Sequence, residues 1–113
     1  MHELSLAESV VQIVEETARR NGGTRVSSVT LEVGALAGVE IDALRFCFDA
    51  ASRESVAAGA ALVIERPEGR AWCMPCGESV QLAELGEPCP RCGSYQLQVT
   101  GGDELKVREI ELH

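Results

Sequence analysis

Four cysteines in the second half of the chain have the spacing of metal ligands. They form two Cys-x2-Cys pairs, each followed by glycine: Cys73, Cys76, Cys89 and Cys92. A Cys-x2-Cys turn directs two thiolates at one ion while its backbone amides donate to the sulfurs, and glycine lets the chain turn sharply. Two such turns supply the closed tetrahedral shell of a structural Zn²⁺ site. The spacing therefore predicts a zinc site that stabilises a small lobe and leaves no coordination position open for water.

Two other interpretations of these cysteines remain open. Four thiolates can hold iron in a rubredoxin-like site, although the surrounding lobe offers little aromatic or aliphatic cover beyond Trp72 and Tyr95. Disulfides are disfavoured because five cysteines is an odd number and no signal peptide is recognisable, so we expect a cytoplasmic chain with reduced thiols. The fifth cysteine, Cys47, stands apart and is interpreted as a small core hydrophobe.

The first three residues, Met1, His2 and Glu3, gather several nitrogen donors in one short segment. The α-amine of Met1, the backbone nitrogen of His2 and the His2 imidazole can chelate one ion in fused rings. A further backbone nitrogen or the Glu3 carboxylate can complete the set. Nitrogen donors in a plane suit Ni²⁺ or Cu²⁺ better than Zn²⁺. From residue types alone, an exposed His2 without a metal is still the commoner interpretation.

Composition narrows the function classes. The formal net charge is −8, with 18 carboxylates against 10 basic side chains, which argues against binding to nucleic acid or anionic lipid. No apolar stretch approaches the roughly 20 residues of a transmembrane helix. We find no Ser-His-Asp set, phosphate loop or carboxylate pair with a base, so a binding protein is expected and not an enzyme. A zinc-ribbon adaptor and a small iron redox carrier are the competing functions.

Hydrophobic periodicity predicts the elements that must hold these residues. Residues 4–20 and 40–53 have helical spacing, and residues 25–34, 60–66 and 103–113 alternate as strands. The first helix carries an apolar stripe, and Ser5 with Glu8 has the spacing of a capping box at its start. The stripe consists of Leu6, Val10, Ile13 and Val14.

The stretch between the second and third predicted strands is rich in Gly, Pro and Cys, and it predicts a separate lobe. We therefore expect an α+β fold in which two helices pack on a three-stranded sheet, with a four-cysteine zinc-ribbon lobe inserted. The predicted boundaries are residues 1–68 with 102–113 for the α/β domain, and 69–101 for the ribbon.

Several motifs together resemble the HypA/HybF family of hydrogenase nickel-insertion accessory proteins, over nearly the whole chain. They are MHELSL at the start, V-x-L-E-V-G-x-L-x-G-V-E at Val29–Glu40, LRFCFD at Leu44–Asp49, the two cysteine pairs, and ELKVREIE at Glu104–Glu111. The combination of a histidine at position 2 with this cysteine spacing is highly specific.

The resemblance implies a nickel metallochaperone. It implies that Ni²⁺ binds at the N-terminus with the His2 imidazole as the essential ligand. Glu3 matches an acidic residue beside that ligand, and Glu40 matches a position near the nickel end that need not bind directly. The four cysteines match a structural zinc site. The implied partners are a HypB-type GTPase and the large-subunit precursor of [NiFe]-hydrogenase, and some members also serve urease.

Overall fold

The chain forms two compact units in a computed structural model that describes residues 2–113. Unit 1 contains the described residues up to Leu31, together with Val39–Ile64 and Val107–His113. Unit 2 contains Glu32–Gly38 and Glu65–Lys106.

Two helices and six strands make up the two units. The helices are α1 (His2–Arg20) and α2 (Ile41–Ser52), and the strands are β1 (Val26–Val33), β2 (Ala61–Glu65), β3 (Gly69–Cys73), β4 (Glu78–Leu82), β5 (Leu97–Gly101) and β6 (Leu105–Leu112). One three-stranded sheet has the order β2-β1-β6, and the other has the order β4-β3-β5. The predicted α+β class, with two helices, a three-stranded sheet and a four-cysteine lobe, is confirmed.

Unit 1 has an aliphatic core between its helices and its sheet. The amphipathic helices α1 and α2 pack against each other, because each presents one apolar stripe. The side chains with less than 2% exposure include Val10 and Val14 of α1, Val29 and Leu31 of β1, and Leu44 of α2.

Two details of α1 differ from the prediction. The helix begins at His2, so Ser5 and Glu8 lie inside it and the capping-box prediction is wrong. Ile13, predicted in the apolar stripe, is 47% exposed, while Ala7, Val11 and Ala18 are buried. The buried stripe is therefore rotated away from Ile13 toward the side of the helix that carries Val11 and Ala18.

Unit 2 contains a small antiparallel sheet with β3 at its centre. Trp72 of β3 lies opposite Ser79 of β4 and Gln98 of β5. A buried cluster lies in the same unit and includes two of the cysteines: Leu36, Ala71, Cys73, Val80, Leu82 and Cys89. The sequence analysis predicted this lobe but assigned no strands to it. None of the helices in residues 2–113 has the length and apolar character needed to cross a membrane.

Candidate metal sites

The two Cys-x2-Cys turns of unit 2 have the same backbone construction. In the first, the N–H of Gly77 donates to the carbonyl oxygen of Cys73 at 2.9 Å; in the second, the N–H of Gly93 donates to that of Cys89 at 2.8 Å. Both glycines have positive φ, 64° and 77° respectively, a conformation that costs other residues free energy. The glycine after each pair therefore has the role that the sequence predicted.

The four sulfurs converge on one point. All Sγ atoms of Cys73, Cys76, Cys89 and Cys92 lie within 4.8 Å of one another. The Sγ–Sγ distance is 3.6 Å between Cys73 and Cys92 and 4.0 Å between Cys76 and Cys89. Four sulfurs at about 2.3 Å from a tetrahedral Zn²⁺ are about 3.8 Å apart, so the donor set fits zinc without rearrangement. Cys47 is a buried free thiol outside this group.

The thiols of this cluster do not ionise alike. The pKa of Cys89 is lowered to about 7, first because the backbone N–H of Cys92 donates to its sulfur, and the N–H of Arg91 lies 3.4 Å from the same atom. The pKa of Cys76 is raised to about 12, first by its contacts with the thiols of Cys92 and Cys73. Cys89 therefore offers the first thiolate, and metal binding must displace protons from its neighbours.

The predicted N-terminal site lies at the start of α1 in unit 1. The His2 side chain is 59% exposed and its Nε2 lies 3.5 Å from Oε2 of Glu3, whose side chain is only 9% exposed. The same Oε2 accepts a hydrogen bond of 3.2 Å from the backbone N–H of Glu40. The Met1 amine, the other predicted ligand here, lies outside the described residues.

Glu40 is the residue that precedes the first turn of α2. Its backbone is extended, and its side chain makes no capping hydrogen bond. The first amide of a helix lacks an intrahelical acceptor, and the Glu3 carboxylate supplies one, at the positive end of the helix dipole. This hydrogen bond from Glu40 is the main cause that lowers the pKa of the Glu3 carboxyl below its ordinary value. Glu3 therefore connects the beginnings of the two helices.

The structure brings the predicted residues of this end together in a particular way. His2 contacts Glu3 through its imidazole, but Glu40 contacts Glu3 through its backbone and not through its carboxylate. Within residues 2–113, the side chains of these three residues do not converge into a second cluster like that of the cysteines. The burial of Glu3 was missed, although its spacing of four residues from Ala7 and seven from Val10 places it on the buried face of α1.

Comparisons with known proteins agree with this architecture. The family model described as "Hydrogenase/urease nickel incorporation, metallochaperone, hypA" matches residues 1–112. The hydrogenase maturation factors HypA of Albidiferax ferrireducens and Dechloromonas aromatica are each 54% identical over 112 residues, covering 99% of both chains. The solution structure of the Ni metallochaperone HypA from Helicobacter pylori has the same fold, with a TM-score of 0.71 at 24% identity over 99% of this chain and 97% of that one. The match along the whole length shows that this chain belongs to the HypA family of nickel-incorporation metallochaperones, which are maturation factors and not enzymes.

Proposed function

We propose that this chain binds Ni²⁺ through its N-terminal segment and delivers it during the maturation of [NiFe]-hydrogenase. The observation that carries this proposal is the exposed imidazole of His2 at the first turn of α1, with the buried Glu3 carboxylate 3.5 Å from its Nε2. A carboxylate at one ring nitrogen orients a metal-binding imidazole and raises its basicity.

The ligand set follows from the position of His2 at a helix start. The backbone nitrogens of His2 and Glu3 have no intrahelical acceptor, so either can coordinate nickel without breaking a helical hydrogen bond. Because Nε2 faces Glu3, Nδ1 remains for the ion, and Nδ1 is the ring nitrogen that closes a chelate ring with the His2 backbone nitrogen. The Met1 α-amine extends this chelate by a fused ring. Nitrogen donors of this kind suit Ni²⁺.

Glu3 and Glu40 take supporting positions in this proposal. The Glu3 carboxylate is buried and already accepts the Glu40 amide, so it orients His2 in preference to binding nickel itself. Glu40 contributes by holding that carboxylate through its backbone.

A site at an exposed helix start also suits delivery. The His2 side chain is 59% exposed, so a partner can reach the ion directly, and the chelate opens when one residue moves. The amine and the imidazole must lose protons to bind, so nickel affinity is expected to fall in acid, which favours release.

The cysteine cluster is proposed as a structural zinc site. Its four thiolates close the coordination shell and leave no position for a ligand in transit. In this proposal residues 1–68 with 102–113 form the nickel-binding domain, and residues 69–101 form the zinc ribbon.

Family membership supports the remaining assignments. We propose a HypB-type GTPase and the large-subunit precursor of [NiFe]-hydrogenase as the protein partners, urease maturation as a second destination, and the cytoplasm as the location. The net charge of −8 is unfavourable for a role on nucleic acid.

A nickel titration of untagged protein tests the N-terminal site. We expect His2→Ala to abolish stoichiometric Ni²⁺ binding in calorimetry, with unchanged zinc content and unchanged helical ellipticity. A peptide tag fused before Met1 should weaken binding similarly, because it removes the α-amine. The matched control is His113→Ala, which removes the only other imidazole and should bind nickel normally.

Two results would contradict the proposal. Normal nickel binding by His2→Ala would place the nickel site elsewhere and favour the adaptor interpretation. A visible absorption band from iron in the purified protein, in place of zinc by metal analysis, would favour the redox carrier.

A further inference from the structure

Strand β6 ends the sheet of order β2-β1-β6 in the part of the chain that the structure describes. An edge strand presents a row of backbone N–H and C=O groups that can pair with another strand. Along this edge Lys106, Arg108, Glu109 and Glu111 are exposed, while Val107 and Ile110 are half-buried. Both signs of charge therefore lie on one eight-residue strand.

An apolar groove lies beside this edge within unit 1. It has a volume of about 280 Å³ and is lined by Ile13 and Thr17 of α1 and by residues 107–110 of β6. Ile13 is the residue that helical periodicity assigns to the core, yet it is 47% exposed. A hydrophobic side chain that remains half-open beside an edge strand is suited to cover by a further chain.

We propose that β6 is a self-association surface, on which β6 of a second copy pairs in antiparallel orientation about a two-fold axis between Arg108 and Glu109. In this register Arg108 of each copy lies opposite Glu109 of the other, and Val107 lies opposite Ile110. Lys106 then lies opposite Glu111. Opposite charges and paired aliphatic side chains at directly opposed positions stabilise an antiparallel pair.

The exposure pattern of β6 selects this register. Exposure alternates along the strand and changes phase between Arg108 and Glu109, both of which are exposed. Residues directly opposite across an antiparallel pair lie on the same face, so half-buried Val107 must meet half-buried Ile110. A shift of one residue in either direction would place Val107 opposite Glu109 or Glu111. The partner that satisfies every position is the same strand in the opposite direction.

A second copy is favoured over an unrelated strand by this local complementarity. Each chain carries a net charge of −8, so general electrostatics oppose self-association and only a patch of matched charges can offset it. Glu111 already accepts the Ser28 hydroxyl at 2.6 Å, but a carboxylate has further acceptor sites for Lys106 of the second copy. Two-fold pairing is the commonest way in which identical chains associate.

Charge-swapped variants provide the test, with self-association measured by sedimentation velocity over a dilution series of the zinc-loaded full chain. Arg108→Glu and Glu109→Arg should each self-associate about tenfold more weakly than wild type, because each places like charges opposite each other twice per dimer. An equimolar mixture of the two variants should recover wild-type association, since the two carboxylates of one variant then meet the two guanidinium groups of the other. The double swap in one chain should recover it too.

The control is Glu54→Arg, which makes the same charge change at an exposed turn position outside β6 and should leave association unchanged. Wild-type protein that stays monomeric throughout the series would overturn the proposal, and so would a mixture that associates no better than either variant alone. Nickel binding at His2 is a separate measurement, so it can succeed or fail independently of this result.

Discussion

The two units of this chain are stabilised by different means. Unit 1 buries long aliphatic side chains, such as Val14, Leu31 and Leu44, almost completely. Unit 2 has a small buried cluster in which two of the six residues are the cysteines Cys73 and Cys89. A lobe of this size buries too little apolar surface to offset the conformational entropy of folding. The difference indicates that unit 1 folds on its hydrophobic core, whereas unit 2 depends on its metal.

Two spectroscopic probes report separately on the units. Both helices, α1 and α2, belong to unit 1, and the single tryptophan of the chain, Trp72, lies in β3 of unit 2. Far-ultraviolet ellipticity therefore follows unit 1, and tryptophan fluorescence follows unit 2.

Metal removal should give the largest effect. When a strong chelator removes zinc, we expect the Trp72 emission to shift to longer wavelength as the cysteine lobe unfolds, while most of the helical ellipticity is retained. Structural zinc supplies folding free energy directly, and unit 1 contains none of the four cysteines. Fluorescence and ellipticity recorded in one chelator titration measure both responses.

Cysteine substitutions provide the control for this result. Cys89→Ser should reproduce the chelator effect, whereas Cys47→Ala should leave the zinc content unchanged, because Cys47 lies outside the cluster. Simultaneous loss of both signals on zinc removal would contradict independent stabilisation of the units.

A core substitution in unit 1 should have an intermediate effect of the opposite kind. Leu44→Ala should lower the free energy of unfolding by about 2–5 kcal/mol, because it leaves a cavity at a fully buried position. Phe46→Ala on the same helix is the matched control: this side chain is 73% exposed, so its removal should cost less than about 0.5 kcal/mol. Denaturant unfolding followed by helical ellipticity measures both values, and equal effects of the two substitutions would contradict the assignment of the core.

The smallest expected effect concerns Glu3 and acid. Its pKa is lower in the folded chain than its ordinary value of about 4.5, so the ionised carboxylate stabilises unit 1 above that pH. This contribution is lost as the pH falls through the lowered value. In thermal unfolding followed by helical ellipticity, Glu3→Gln should therefore lack part of the acid-induced decrease in Tm seen for wild type.

The control for this pH dependence is Glu8→Gln, which neutralises an exposed carboxylate on the same helix and should keep the wild-type acid response. If Glu3→Gln behaved like this control, the hydrogen bond from Glu40 to Glu3 would not contribute to the stability of unit 1.

Local patterns predicted the regular elements of unit 1 and the cysteine cluster well. The helices begin and end within two residues of the predicted positions, because amphipathic periodicity records which face is buried. The Cys-x2-Cys-Gly turns were predictable for a similar reason, since five consecutive residues contain both the ligands and the glycine that the turn requires. The short strands of unit 2 were not assigned, because their alternation is interrupted by Gly, Pro and the ligands themselves.

The sequence by itself therefore determined the family, the α+β class and the residues that converge at the sulfur cluster, because these depend on spacing over a few positions. Tertiary structure alone decided that Glu3 is buried against the amide of Glu40, 37 residues away, and that Ile13 is left exposed beside an edge strand. Both outcomes depend on which surface of α1 meets α2 and the sheet. That choice is made by packing between distant segments, which no local pattern encodes.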